Sequence, residues 1–223
     1  VAADAWQDAE MFVELQTNRL GKDDQLFVRT GEFYMHFRNL PFGAARTGLK
    51  VGRIDIPFGE EYLWQDAVDN PLVTNSAPYV YGWDEGILIY TGTDRWNLIG
   101  AVTDGTDERS IEDHDDKAIN LKLSFRPSRS TQIALSLMRN GKAAKSAVEF
   151  GGSHFEPVGA SHPSSAGVSP SRLVAGSLGQ IDIKLGSPER YVAAFVGAAR
   201  QSDVANAFDR SFRWFGIETF RRV

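Results

Sequence analysis

The sequence predicts an all-β protein, specifically an antiparallel transmembrane β-barrel, and three observations predict it. Apolar and polar residues alternate with period two along most of the chain, which is the periodicity of a strand whose two faces meet different surroundings. Short turns rich in Gly, Pro, Asp and Ser alternate with long irregular stretches, as in barrels that have tight turns on one side of a membrane and long loops on the other. No apolar run approaches the roughly 20 residues that a membrane-spanning helix requires.

Ten strands are expected, near 8–18, 25–38, 46–56, 84–92, 95–103, 117–126, 131–139, 171–185, 190–201 and 208–221. Each is close to the roughly 9–11 residues that a tilted strand needs to cross the hydrocarbon. In the first, Met11, Val13 and Leu15 alternate with Glu10, Glu14 and Gln16. The second sets Phe33, Met35 and Phe37 against Glu32, Tyr34, His36 and Arg38. In the third, alternation fails between Gly52 and Ile56, where Arg53 and Asp55 share the parity of Leu49 and Val51. A β-bulge around Gly52, turning Arg53 toward the lumen, accounts for that. Pro57 has no N–H for a ladder and should end the same strand. The strictest alternation is at 117–126, where Ile119, Leu121, Leu123 and Phe125 oppose Asn120, Lys122, Ser124 and Arg126. Ile133, Leu135 and Leu137 repeat it, as do Ile181, Ile183 and Leu185 around Asp182 and Lys184. Tight reversals are expected at 20–24, 91–94, 126–130 and 185–189. Long loops are expected near 58–83, 104–116 and 141–170. Trp6, Trp83, Trp96, Tyr191 and Trp214 stand near strand ends and read as interfacial girdles.

The chain of 223 residues reads as one barrel domain over 1–223, incomplete at both ends. Soluble sandwiches and lipocalin-like barrels share alternation and hairpin turns. The bulky apolar faces and the charged polar faces favour the membrane form. The absence of cysteine excludes a disulfide framework and thiolate metal sites, and the net charge of −5 speaks against nucleic acid as a partner. The chain begins with Val1, which reads as a processed or trimmed start.

The segment from Thr47 to Gly59, with its Gly52-Arg53 and Pro57-Phe58-Gly59, followed by Glu60-Glu61-Tyr62-Leu63-Trp64, resembles the phosphate-selective porin (porin O/P-like) superfamily. Trp83-Asp84-Glu85-Gly86-Ile87, the stretch 95–105 and the strand Gly31–Phe37 are similar in character to that superfamily's neighbouring strands. The resemblance covers roughly 25–126 and implies a large trimeric porin of about sixteen strands. Only ten strands are read here, and the chain ends in Val223 where such barrels tend to end in an aromatic residue. The low strand count fits either a smaller relative or an incomplete barrel, and a missing terminal strand would explain both departures.

For a pore, function resides in lumen charge and constriction. The candidate pore-lining residues are Arg38, Lys50, Arg53, Lys122, Arg126, Glu32 and Asp182. The loop after Gly59 is too apolar for a freely solvated one: its Glu60, Glu61, Trp64, Asp66 and Asp69 are candidates for a constriction that folds inward, and packing over a neighbouring subunit or on the barrel rim is an equal reading. The acidic run at 104–116 offers Asp113, Asp115 and Asp116 to Ca²⁺, but without EF-hand spacing a solvated loop is the better reading. The four histidines lack metal-ligand spacing, and no nucleophile elbow or phosphate-binding loop occurs. The expectation is a non-enzymatic channel of the bacterial outer membrane, without a cofactor. It would pass small ions or solutes by diffusion, anions among them, with the lipid bilayer and a homotrimer or an envelope protein as partners. A structural barrel sheathing an envelope protein such as an electron-transfer cytochrome is the alternative. A soluble carbohydrate-binding β-sandwich is the third reading.

Overall fold

The computed structural model describes residues 2–6, 8–20, 25–42, 45–60, 83–104, 116–144, 173–187, 189–203 and 209–221. Over these the chain forms one antiparallel sheet of eleven strands, each paired with its neighbours in sequence. The strands are β1 (Ala2–Trp6), β2 (Ala9–Leu20), β3 (Gln25–Phe37), β4 (Arg46–Asp55), β5 (Trp83–Gly92) and β6 (Trp96–Thr103). They continue with β7 (Ala118–Ser128), β8 (Thr131–Ala144), β9 (Leu173–Ser187), β10 (Arg190–Asp203) and β11 (Asp209–Arg221). The ten expected strands all have counterparts, and the short β1 is added to them. Among the described residues no pairing joins β1 to β11, so the sheet has two ends. No described helix is long and apolar enough to cross a membrane, which leaves crossing by strands open.

Tight turns explain the meander order. Arg129 and Ser130 alone separate β7 from β8, with Ser128 Oγ donating to Thr131 Oγ1 at 3.0 Å. Thr93, Asp94 and Arg95 separate β5 from β6, closed by the Thr93 N–H on the Trp96 carbonyl at 2.8 Å. Connections this short force neighbouring strands to pair antiparallel. The turn expected at 20–24 lies largely outside the described residues, as do most of the three long loops.

The two faces of the sheet differ: one leaves large apolar side chains exposed, and the other buries polar side chains together with two apolar clusters. One face leaves Ile119, Leu121, Leu123 and Phe125 of β7 exposed at 53, 45, 44 and 45%, and Leu135, Ile183 and Val196 of later strands are exposed beside them. The opposite face buries Thr103, Asn120, Lys122, Ser136, Gln180 and Asp182. Register carries this difference from strand to strand: Leu121 stands opposite Leu137 and Gly100, and Lys122 opposite Ser136 and Ile99.

Two expectations are corrected here. Both ladders of β4 run through Gly52 without a shift, pairing it with Tyr34 and Gly86, so the expected bulge is absent. The irregularity is absorbed by Gly52 itself, whose φ of 134° is a region L side chains avoid, and an added Cβ would strike the Phe33 carbonyl. Gly52→Ala is therefore expected to lower stability by about 1–3 kcal/mol, read as a shift in urea midpoint. Girdle positions are the second correction. Trp83, Tyr191 and Trp214 are buried. On β11 it is Phe215 and Ile217 that project outward, at 84 and 74% exposure, while Trp214 turns inward. Trp96 alone of the described four is exposed, and the side chain of Trp6 lies outside the description.

Candidate functional site

The polar face is not open along its length, because the chain leaving β4 crosses it. Strand pairing stops at Asp55, and Pro57 prevents the ladder from resuming. The Phe58 N–H instead bonds the Ile56 carbonyl at 2.8 Å, and Gly59 adopts φ 73°, which redirects the backbone. Phe58 then packs among Ala118, Met138, Leu178, Ala199 and Trp214, one from each of the strands β7 to β11. A residue just past β4 thus shares one apolar cluster with residues of five strands that do not pair with β4.

Beyond Phe58 the segment descends between β7 and β8. The Gly59 N–H donates to Ser136 Oγ at 3.0 Å, and Lys122 Nζ donates to the Gly59 carbonyl. Lys122 Nζ also lies 3.1 Å from Glu60 Oε1, with both side chains 2% exposed. The same oxygen accepts Ser124 Oγ at 2.6 Å, and Glu60 Oε2 accepts Gln132 Nε2 at 2.6 Å. Every Glu60 oxygen is thus occupied, which is the condition under which a buried carboxylate persists. Behind this node Trp214 Nε1 donates to Gln180 Oε1 at 2.9 Å and Gln180 Nε2 to Asp182 Oδ1 at 2.8 Å. Asp182 Oδ2, Thr103 Oγ1 and the Asn120 amide are buried with no hydrogen-bond partner among the described residues.

A second polar network lies on the same face of the sheet, from β2 to β5. His36 joins Glu10 Oε1 through Nδ1 at 2.7 Å and the Tyr90 hydroxyl through Nε2 at 2.9 Å. Arg38 lies 3.5 Å from the other Glu10 oxygen, and Lys50 Nζ sits 4.1 Å above the Tyr34 ring. Glu32 accepts the Asp55 N–H at 3.3 Å. Between the Glu60 node and the short turns lies a cavity of about 480 Å³. Arg38, Arg46, Arg95, Lys122 and Arg126 line it against Glu60 and Asp94. Arg46 pairs with Asp94 at the rim, and Arg126 Nε donates to Gln132 at 3.3 Å.

Of the residues singled out in the sequence, Lys122, Asp182 and Glu60 come together on the polar face, Arg38 and Arg126 line the cavity, and Lys50 and Glu32 belong to the β2–β5 network. Arg53 does not join them. Its guanidinium lies 3.5 Å from Glu85 and over the Trp83 ring, both on β5. Glu61, Trp64, Asp66 and Asp69 lie outside the described residues, as do Asp113 and Asp115. Asp116 is half-buried, and among the described residues no acidic or histidine group is arranged to hold a metal ion. Sequence reading missed the uncharged partners Ser124, Gln132, Ser136 and Gln180. Their shared parity with Lys122 and Asp182 was the available signal.

Neither the models of known protein families nor the curated proteins contain a match to this chain. The resemblance of 47–59 to the porin O/P-like superfamily therefore rests on those residues alone.

Proposed function

We propose that this chain forms the wall and the constriction of an outer-membrane channel for passive diffusion of small ions or solutes. The observation that carries the proposal is the two-faced sheet, with bulky apolar side chains exposed on one face and charged and amide side chains buried on the other. A membrane barrel has that distribution because its outer face meets lipid and its inner face meets water and polar partners. A sandwich buries the apolar face instead. Closure of the sheet into a barrel is part of the proposal, since free strand edges are not tolerated in hydrocarbon. The Phe58–Glu60 segment is the constriction, and it narrows the passage from inside.

The cavity on the short-turn side carries five cations against two carboxylates, which supports a preference for anions at that mouth. Reconstitution in planar bilayers tests the reading. Stepwise conductance is expected, with reversal potentials favouring anions and a weaker preference in the Arg95→Gln/Arg126→Gln variant. A folded, heat-modifiable protein that gives no conductance would remove the channel and leave a structural barrel.

A further inference from the structure

Toward the long-loop side the apolar part of the exposed face gives way to a row of arginines. Register places Arg139 of β8 opposite Ser177 of β9, Ser177 opposite Arg200 of β10, and Arg200 opposite Ser211 of β11. Arg213 stands two residues along β11, opposite Ala198. All three arginines are exposed and share the outward alternation of Leu137, Val196 and Phe215. Arg139 and Arg213 have no carboxylate partner among the described residues. Directly below the row the surface becomes apolar, through Leu135, Leu137, Ile181, Val196 and Phe215. Gly179 and Ala198, which pair with each other, leave that surface low between Leu137 and Arg213.

Guanidinium groups facing outward at the top of an apolar wall have a specific chemical complement. They fit phosphate oxygens bidentately, and the wall beneath fits hydrocarbon. We propose that the outer face of β8–β11 binds a lipid with two phosphates on its headgroup, the phosphates on Arg139, Arg200 and Arg213 and the acyl chains on the wall below. A doubly phosphorylated headgroup is favoured over a single phosphate because three guanidiniums spread over β8 to β11 carry more positive charge than one lipid phosphate balances. The inference rests on the membrane reading given above, with this end of the strands at the outer leaflet.

Native mass spectrometry of the full chain refolded in a neutral detergent tests it, with a diphosphorylated diglucosamine lipid, phosphatidylglycerol, phosphatidylcholine and inorganic phosphate as probes. The diphosphorylated lipid should be retained most strongly and phosphatidylcholine least, and inorganic phosphate should not displace the lipid. Arg139→Gln/Arg200→Gln/Arg213→Gln should weaken retention by about tenfold to a hundredfold, from the attraction of each surface cation to anionic lipid. Arg190→Gln/Arg221→Gln, at the opposite end of the strands, should leave it unchanged. Equal retention by the triple variant, or displacement of the lipid by inorganic phosphate, would overturn the proposal. Conductance and heat-modifiability measured on the same samples keep the two readings apart: their loss in the unaltered protein counts against the membrane channel, whereas their presence with unspecific lipid retention counts against this site alone.

Discussion

Leu121→Arg is expected to destabilise the folded protein in a bilayer by about 2–4 kcal/mol, the cost of an arginine near the membrane midplane on the outer face of a barrel strand. Leu121 is the central choice because it lies inside the row Ile119, Leu121, Leu123 and Phe125 and faces Leu137 across the β7–β8 ladder. It is 45% exposed, so the substitution creates no cavity and removes no hydrogen bond. The whole effect then comes from the surrounding medium. If that medium were water, a surface substitution would stay within about 0.5 kcal/mol. Phe125→Arg, closer to the short turns, should cost less, about 0–1 kcal/mol, because the guanidinium there reaches the interface. Urea titration of protein folded into vesicles gives both numbers. A flat response along β7 would reject the membrane environment for this face, whatever the fold.

The same row shows what was legible in the sequence. Period-two alternation is set by backbone geometry, and it located the strands because each face of this sheet meets a uniform environment. The pattern failed where a side chain's surroundings come from a distant segment. Trp214 and Phe215 are adjacent and both aromatic, and composition alone assigns them to the same interface. The structure separates them by parity, placing Trp214 over Gln180 and Phe58 while Phe215 projects outward. Arg53 failed for a different reason. The sequence offered a bulge to restore its alternation, whereas Gly52 absorbs the irregularity in one dihedral angle and leaves Arg53 with Glu85. Pro57 was read correctly as a strand end, and Glu60 was singled out though its seat beside Lys122 was not. Its partners could not be read, because Lys122 and Gln132 lie 62 and 72 residues away and nothing local encodes the crossing.

Lys122→Met is the sharper test of the constriction. Removing one partner of a buried ion pair leaves the other charged and under-solvated, at a cost of about 3–5 kcal/mol. Glu60 would keep Ser124 and Gln132 as donors, and Gly59 would lose its carbonyl's partner on Lys122. The sheet need not unfold to relieve this. Phe58 to Glu60 is held by side chains rather than by a ladder, so the cheaper response is for the segment to leave its seat. Lys122→Met should therefore raise single-channel conductance and expose the Phe58 region to proteolysis while heat-modifiability persists. Lys122→Met/Glu60→Met separates loss of the pair from loss of the fit, because an apolar replacement of both partners is often neutral or stabilising. Conductance near that of the unaltered protein is expected for the double variant, since Phe58 still has its pocket across β7 to β11. A double variant as open as the single one would place the hold on the segment in the ion pair itself, and an unchanged conductance in both would mean that the segment does not limit the passage.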